Sequence, residues 1–290
     1  MGSTRITRYR QLPMAEHDDK PGLDPMGARP RLVATDLDGT IIRGDGTISA
    51  RTVAAFSRAE RAGALLVLVT GRPPRAMREI AQVFGHRGAG ICSNGALAYD
   101  MATGEVTAVE LIPPRQLARA VRRLREAVPG IGIAVEYPDG RALDHLFQPF
   151  MFDVTDPGPR LDDDVLTARP AAKLLGRHLG YSCDELLDLT GPLLADLVAV
   201  THSNGKGLIE AAAIGVSKAT AVARVAASAH VMADEVIAFG DQPNDLPLLT
   251  WAGTSCAVAN AHPQVLAAAS CVIASNDDDG VAQVLESLYP

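Results

Sequence analysis

The chain has 290 residues, 47% apolar and 21% charged, with a net charge of -7 and a pI near 5.5, an ordinary soluble composition with room for two domains. Aromatics make up only 4%; with the acidic balance, this argues against a nucleic-acid binder that tracks phosphates or stacks bases. No apolar run reaches the roughly 18–20 residues of a membrane helix, so neither nucleic acid nor membrane is an expected partner, and a cytoplasmic location is the default.

Residues 1–29 mix Pro, Gly and charges without period and read as a flexible extension, with Met14 or Met26 as alternative starts. Order begins with the apolar run Arg31 to Thr35, a buried parallel strand that ends in Asp36. Ser49 stands at an N-cap position before a helix over 50–62, which Gly63 closes. A second strand, 64–69, ends in Thr70-Gly71-Arg72, and Pro73-Pro74 opens the next helix. A third, about 90–93, leads into Ser93-Asn94-Gly95, which by itself is a common turn signal. Three strands that each finish in polar residues predict an α/β fold, a doubly wound parallel sheet with its ligand beyond the carboxyl ends.

From about residue 99 to 210 the rhythm changes. Hairpin chemistry at Tyr99-Asp100 and Thr103-Gly104 precedes a helix from Pro114 through Ala127, strands at 132–136, about 172–175 and 196–200, a helix near 184–190, and a Pro/Gly/Asp-rich loop over 153–164. This predicts an inserted α+β domain over 99–210, between core segments 30–98 and 211–290. The core pattern then returns with a helix over about 218–229 and a strand over 236–239 that runs into Gly240-Asp241. The cysteines at 92, 183, 256 and 271 fall at unrelated spacings, which predicts buried, reduced thiols and no zinc site. His145, His178 and His202 read as surface or cap residues. The acidic runs 162–164 and 277–279 read as solvated loop charge.

Chemistry concentrates in Asp36-Leu37-Asp38-Gly39-Thr40. A carboxylate at a strand end can attack phosphorus, and a second one, returned by a turn at Gly39 that Thr40 helps hold, can donate and accept the proton. Alone, the same pentapeptide also reads as a capped acidic turn.

After a hydrophobic strand, DLDGT resembles the first motif of the haloacid dehalogenase superfamily. The other motifs follow in order: Thr70 in LVTGR, Lys218 in GVSKATAV, and Gly240-Asp241-Gln242-Pro243-Asn244-Asp245. Ser93-Asn94-Gly95 and the tail from Val258 resemble the Cof-type subgroup, which carries a large C2-type cap. The resemblance covers about residues 31–98 and 200–290. It implies a phosphatase of small phosphate monoesters, sugar phosphates or phosphorylated cofactors, in which Asp36 becomes the aspartyl-phosphate and Asp38 is acid and base. Thr70 and Lys218 would bind phosphoryl oxygens. Asp241 would ligate Mg2+ with the Asp36 carboxylate and the Asp38 carbonyl, and Asn244 and Asp245 would reach the metal through water or hold Lys218. Gly39, Thr40, Gly71, Arg72, Ser93, Asn94 and Asn244 would line the substrate. Crowded carboxylates repel, and a hard divalent cation resolves that conflict. A phosphomutase on the same fold and a non-catalytic phosphate-ligand-binding protein are the alternatives, and a monomer or homodimer is expected. Pro243 and Pro247 stiffen the fourth motif.

Overall fold

The computed structural model describes residues 29–149, 158–202 and 207–290. Most of the N-terminal segment and part of the 153–164 loop lie outside the described residues. In chain order the strands and α-helices are β1 (Leu32–Asp36), α1 (Ala50–Arg61), β2 (Leu65–Val69), α2 (Met77–Val83), β3 (Ala89–Cys92), β4 (Leu97–Asp100), β5 (Val106–Val109), α3 (Pro114–Ala127), β6 (Gly132–Tyr137), β7 (Gly140–Leu143) and α4 (Asp163–Leu166). There follow β8 (Lys173–Arg177), α5 (Cys183–Leu194), β9 (Ala199–Thr201), β10 (Leu208–Ala212), α6 (Lys218–Ser228), β11 (Val236–Gly240), α7 (Leu246–Trp251), β12 (Thr254–Val258), α8 (Pro263–Ala268), β13 (Cys271–Ile273) and α9 (Gly280–Leu288).

The larger sheet has the order β13-β12-β11-β1-β2-β3-β4-β5 and is parallel from β13 to β3. Its central strands are largely apolar because helices pack on the sheet: β1, LVATD, is buried at all five positions. Phe56 and Ala59 of α1, Val222 of α6 and Val284 of α9 join this core. The chain order reverses beside β1, whose neighbours are β2 and β11, so the crevice at its carboxyl end is where a ligand belongs. Ser49 caps α1 through the Thr52 N–H, and Ser217 caps α6 through the Thr220 N–H.

The smaller sheet, β7-β6-β8-β10-β9, is antiparallel, and α3 and α5 pack on it around a second core that includes Leu117, Val121, Leu186 and Leu194. The two sheets divide the chain somewhat differently from the sequence-based boundaries. The 97–109 hairpin hydrogen-bonds to β3 and extends the larger sheet, while β10, which crosses residue 210, lies in the smaller one. The strand expected at 196–200 begins only at Ala199, because the amides of Leu197 and Val198 turn back onto the Leu194 carbonyl and bury both side chains.

Two other expectations are corrected. Asp163 and Asp164 start α4, and Asp163 pairs with Arg125 at 2.7 Å. Asp277 accepts from the Gly44 amide and Asp279 pairs with Arg43, so the acidic run fastens the segment after the first motif. His202, just after β9 in the cap, is buried, with Nε2 2.9 Å from Asp184. The cysteines are free, three buried and Cys271 half-buried. No helix among the described residues is long and apolar enough to cross a membrane.

Candidate active site

β1 delivers Asp36 to the carboxyl edge of the larger sheet, 5% exposed. The chain then turns sharply: the amides of Thr40, Ile41 and Ile42 all point at the Leu37 carbonyl. Gly39 sits at φ +80°, a conformation strained for any other residue, and a Cβ there would stand 2.5 Å from Asp241 Oδ2 and push that carboxylate aside. Thr40 Oγ1 donates to Asp241 Oδ1 (2.8 Å), Gln242 Nε2 donates to Asp241 Oδ2 (2.9 Å), and Asn260 Nδ2 holds the Gly39 carbonyl (2.8 Å).

Lys218, the first residue of α6, is 1% exposed, and its Nζ lies 2.6 Å from both Asp36 Oδ1 and Asp245 Oδ1. Burial pulls the ammonium pKa down, but Asp245 and Asp36 together hold it above the ordinary lysine range. Asp36 is pushed well above the usual carboxylate range, by burial first and by Asp245, Asp241 and Asp38, against the lowering effect of Lys218. Burial and Asp245 raise Asp241 to about 6, against the bonds from Gln242 and Thr40. Asp245 is fully buried and doubly engaged: its other oxygen accepts the Asp241 and Gln242 amides. Asp245 Oδ1 holds Lys218, and the same carboxylate lies beside those of Asp36 and Asp241, so its contacts fit both roles left open for it. Pro243 and Pro247 each occupy an early helical position, where a missing N–H costs nothing.

Thr70 is fully buried at the end of β2, and its Oγ1 accepts the Arg72 amide (3.0 Å). Arg72 in turn grips Asp38 through both carboxylate oxygens, with Nε–Oδ2 at 2.8 Å. Asp38 is about half exposed and faces the same cavity as Asp36. Ser93 and Asn94 are buried with positive φ (50° and 57°). A Cβ on Gly95 would lie 2.2 Å from the Ser217 carbonyl, so this turn abuts the start of α6, which carries Lys218. Asn244 Nδ2 donates to Asn94 Oδ1 at 3.1 Å. The first, second and fourth motifs, Lys218 and the Ser93–Asn94 turn thus converge.

The cavity above them measures about 200 Å³. Its floor is Asp36, Asp38, Gly71, Arg72 and Asn244, while Glu136, Lys173, Glu210 and Phe147 come down from the smaller sheet and its flank. Sequence reasoning missed those cap residues; the available signal was a charged residue inside each of the apolar strands IAVEY, AAKLL and LIEAA.

The donor set suits a hard cation. Asp36, Asp241 and Asp245 place one carboxylate oxygen each within 4.8 Å of one another, and the buried Asn244 Oδ1 has no hydrogen-bond partner among the described residues. Asp38 contributes no carboxylate to this group, since Arg72 holds it.

Carboxylates thus gather at the mouth of a doubly wound sheet, with residues of the smaller sheet lining the same cavity from above. The chain belongs to the haloacid dehalogenase-like hydrolase family, which matches residues 33–285. It is 26% identical over 278 residues to a 5-amino-6-(5-phospho-D-ribitylamino)uracil phosphatase of Bacillus subtilis, covering 91% of this chain and 99% of the relative. It is 27% identical over 284 residues to a pyridoxal phosphate phosphatase of Escherichia coli, covering 89% and 98%. Among solved structures, a HAD-superfamily phosphatase of Bacteroides thetaiotaomicron superposes with a TM-score of 0.76 at 25% identity, covering 93% and 99%. A Streptococcus mutans protein that shares the fold gives 0.79 at 23% identity, covering 89% and 98%.

Proposed function

We propose that the chain is a magnesium-dependent phosphatase of small phosphate monoesters, a sugar phosphate or a phosphorylated cofactor, acting through an aspartyl-phosphate on Asp36. The observation that carries this reading is the buried Asp36 carboxylate, 2.6 Å from Lys218 Nζ and open to the same cavity as Asp38.

In this reading Asp36 attacks phosphorus while Lys218 and Thr70 bind phosphoryl oxygens. Asp38, aimed by Arg72, gives a proton to the leaving alcohol, then takes one from the water that releases phosphate. The Asp36 and Asp241 carboxylates and the Asp38 carbonyl would hold Mg2+. The ion would neutralise the crowded carboxylates and the anionic substrate. Pockets for drug-sized ligands run to roughly 300–1,000 Å³, so a cavity of about 200 Å³ favours a small leaving group.

The test is hydrolysis of p-nitrophenyl phosphate with Mg2+ or with chelator. Turnover should require Mg2+ and vanish in Asp36→Ala; full activity in that variant would sink the mechanism.

A further inference from the structure

One face of the cap sheet carries Glu136, Arg141, Lys173 and Glu210, each at most 8% exposed. Register sets Arg141, Glu136 and Lys173 in a single cross-strand row of alternating charge. Buried charges need partners, and several of these partners belong to the core. Arg75 grips Glu136 at 2.7 and 3.0 Å. Lys173 Nζ donates to the Gly71 carbonyl and to Glu210 Oε1, both at 2.7 Å. Glu210 Oε2 accepts from Asn94 Nδ2 at 2.8 Å, and Asn94 Oδ1 accepts from Asn244.

The chain of contacts therefore has two arms. One ends on Gly71, between Thr70 and the Arg72 that grips Asp38. The other ends on Asn244, next to the Asp245 that holds Lys218. An interface needed only for adhesion would do as well with apolar contacts, since a buried ion pair seldom beats a hydrophobic replacement in stability. Asn94 moreover keeps a left-handed backbone, a conformation that persists where its surroundings over-determine it.

We propose that Lys173 and Glu210 are positioning residues through which the seated cap fixes the Thr70–Arg72 loop and the fourth-motif loop in reactive register. The proposal rests on the phosphatase reading for its kinetic consequence, but its structural part can be measured without turnover.

The test uses the full chain with Glu210→Gln, Lys173→Met and Lys173→Arg. Hydrogen exchange is followed in peptides spanning 70–72 and 240–246, and kcat and KM are measured with p-nitrophenyl phosphate and Mg2+. Glu210→Gln and Lys173→Met should speed exchange in both core loops on the order of tenfold, although both substitutions lie in the cap. They should also lower kcat on the order of 10²-fold, as expected for reacting groups displaced by about an ångström, with KM moving far less. Lys173→Arg, which keeps the cation, should recover most of kcat. Unchanged exchange in both loops overturns the proposal. So does a loss confined to KM, which would make the pair a leaving-group contact only. A wild type that hydrolyses nothing would overturn the phosphatase reading alone, and the exchange comparison would still decide whether the cap holds these loops.

Discussion

Replacing Lys218 with methionine removes the cation between Asp36 and Asp245 while keeping an unbranched side chain of similar length. Lys218 is 1% exposed and Asp245 is fully buried, so solvent cannot take over the lost charge. Breaking a buried pair by removing one partner costs about 3–5 kcal/mol. At about 2–4 °C of Tm per kcal/mol for large domains, Tm should fall by about 6–20 °C in chelator. The rate should fall on the order of 10²–10³-fold, because an electrostatic contact to the developing charge is gone. Thermal unfolding by circular dichroism, with chelator and with millimolar Mg2+, separates the two effects. Added Mg2+ should restore part of the lost Tm, since it supplies positive charge to the same carboxylates, but should not restore p-nitrophenyl phosphate turnover. A Tm within about 1 °C of wild type in chelator, together with a rate within threefold, would refute the charge argument.

Gly39→Ala should act through the metal site. Its Cβ would press on Asp241 Oδ2 from a strained backbone, so the Mg2+ concentration for half-maximal activity should rise on the order of tenfold, as for loss of a ligand-orienting contact; an unchanged Mg2+ titration would count against the site. Asp241 gives a pH signature in metal-free protein. Its folded pKa of about 6 lies above the ordinary 3.8, so its stabilising contribution is full below pH 3.8. That contribution, roughly 3 kcal/mol, is lost as pH rises through about 6. Mg2+ needs the deprotonated carboxylate, so the rise in Tm on adding Mg2+ should be larger at pH 7 than at pH 5; equal rises at both would contradict the assignment.

The core was legible because its signals are local. An apolar run that stops at Asp36, the serine cap at Ser49, and prolines at the start of helical turns each declare an element within a few residues. The cap was harder. The strand Leu208–Ala212 has the composition of a helix, and only pairing with β8 and β9 makes it a strand. Glu136, Lys173 and Glu210 each look like the solvent face of a strand until their partners are known. Those of Glu136 and Glu210, Arg75 and Asn94, lie 61 and 116 residues away. The acidic run 277–279 deceived for the same reason: its partners Arg43 and Gly44 lie more than 230 residues earlier.

The position of β1 between β2 and β11 has a consequence for synthesis. Leu32 pairs with Leu65 on one side and with Val236 on the other. At about 5–20 residues per second, the second neighbour leaves the ribosome about 10–40 s after the first strand. Throughout that interval the strand bearing Asp36 has one open edge. The smaller sheet draws all its strands from between Gly132 and Ala212, so it can assemble before the larger one closes. The order of synthesis thus makes all strands of the smaller sheet available before β11 can close the second edge of β1.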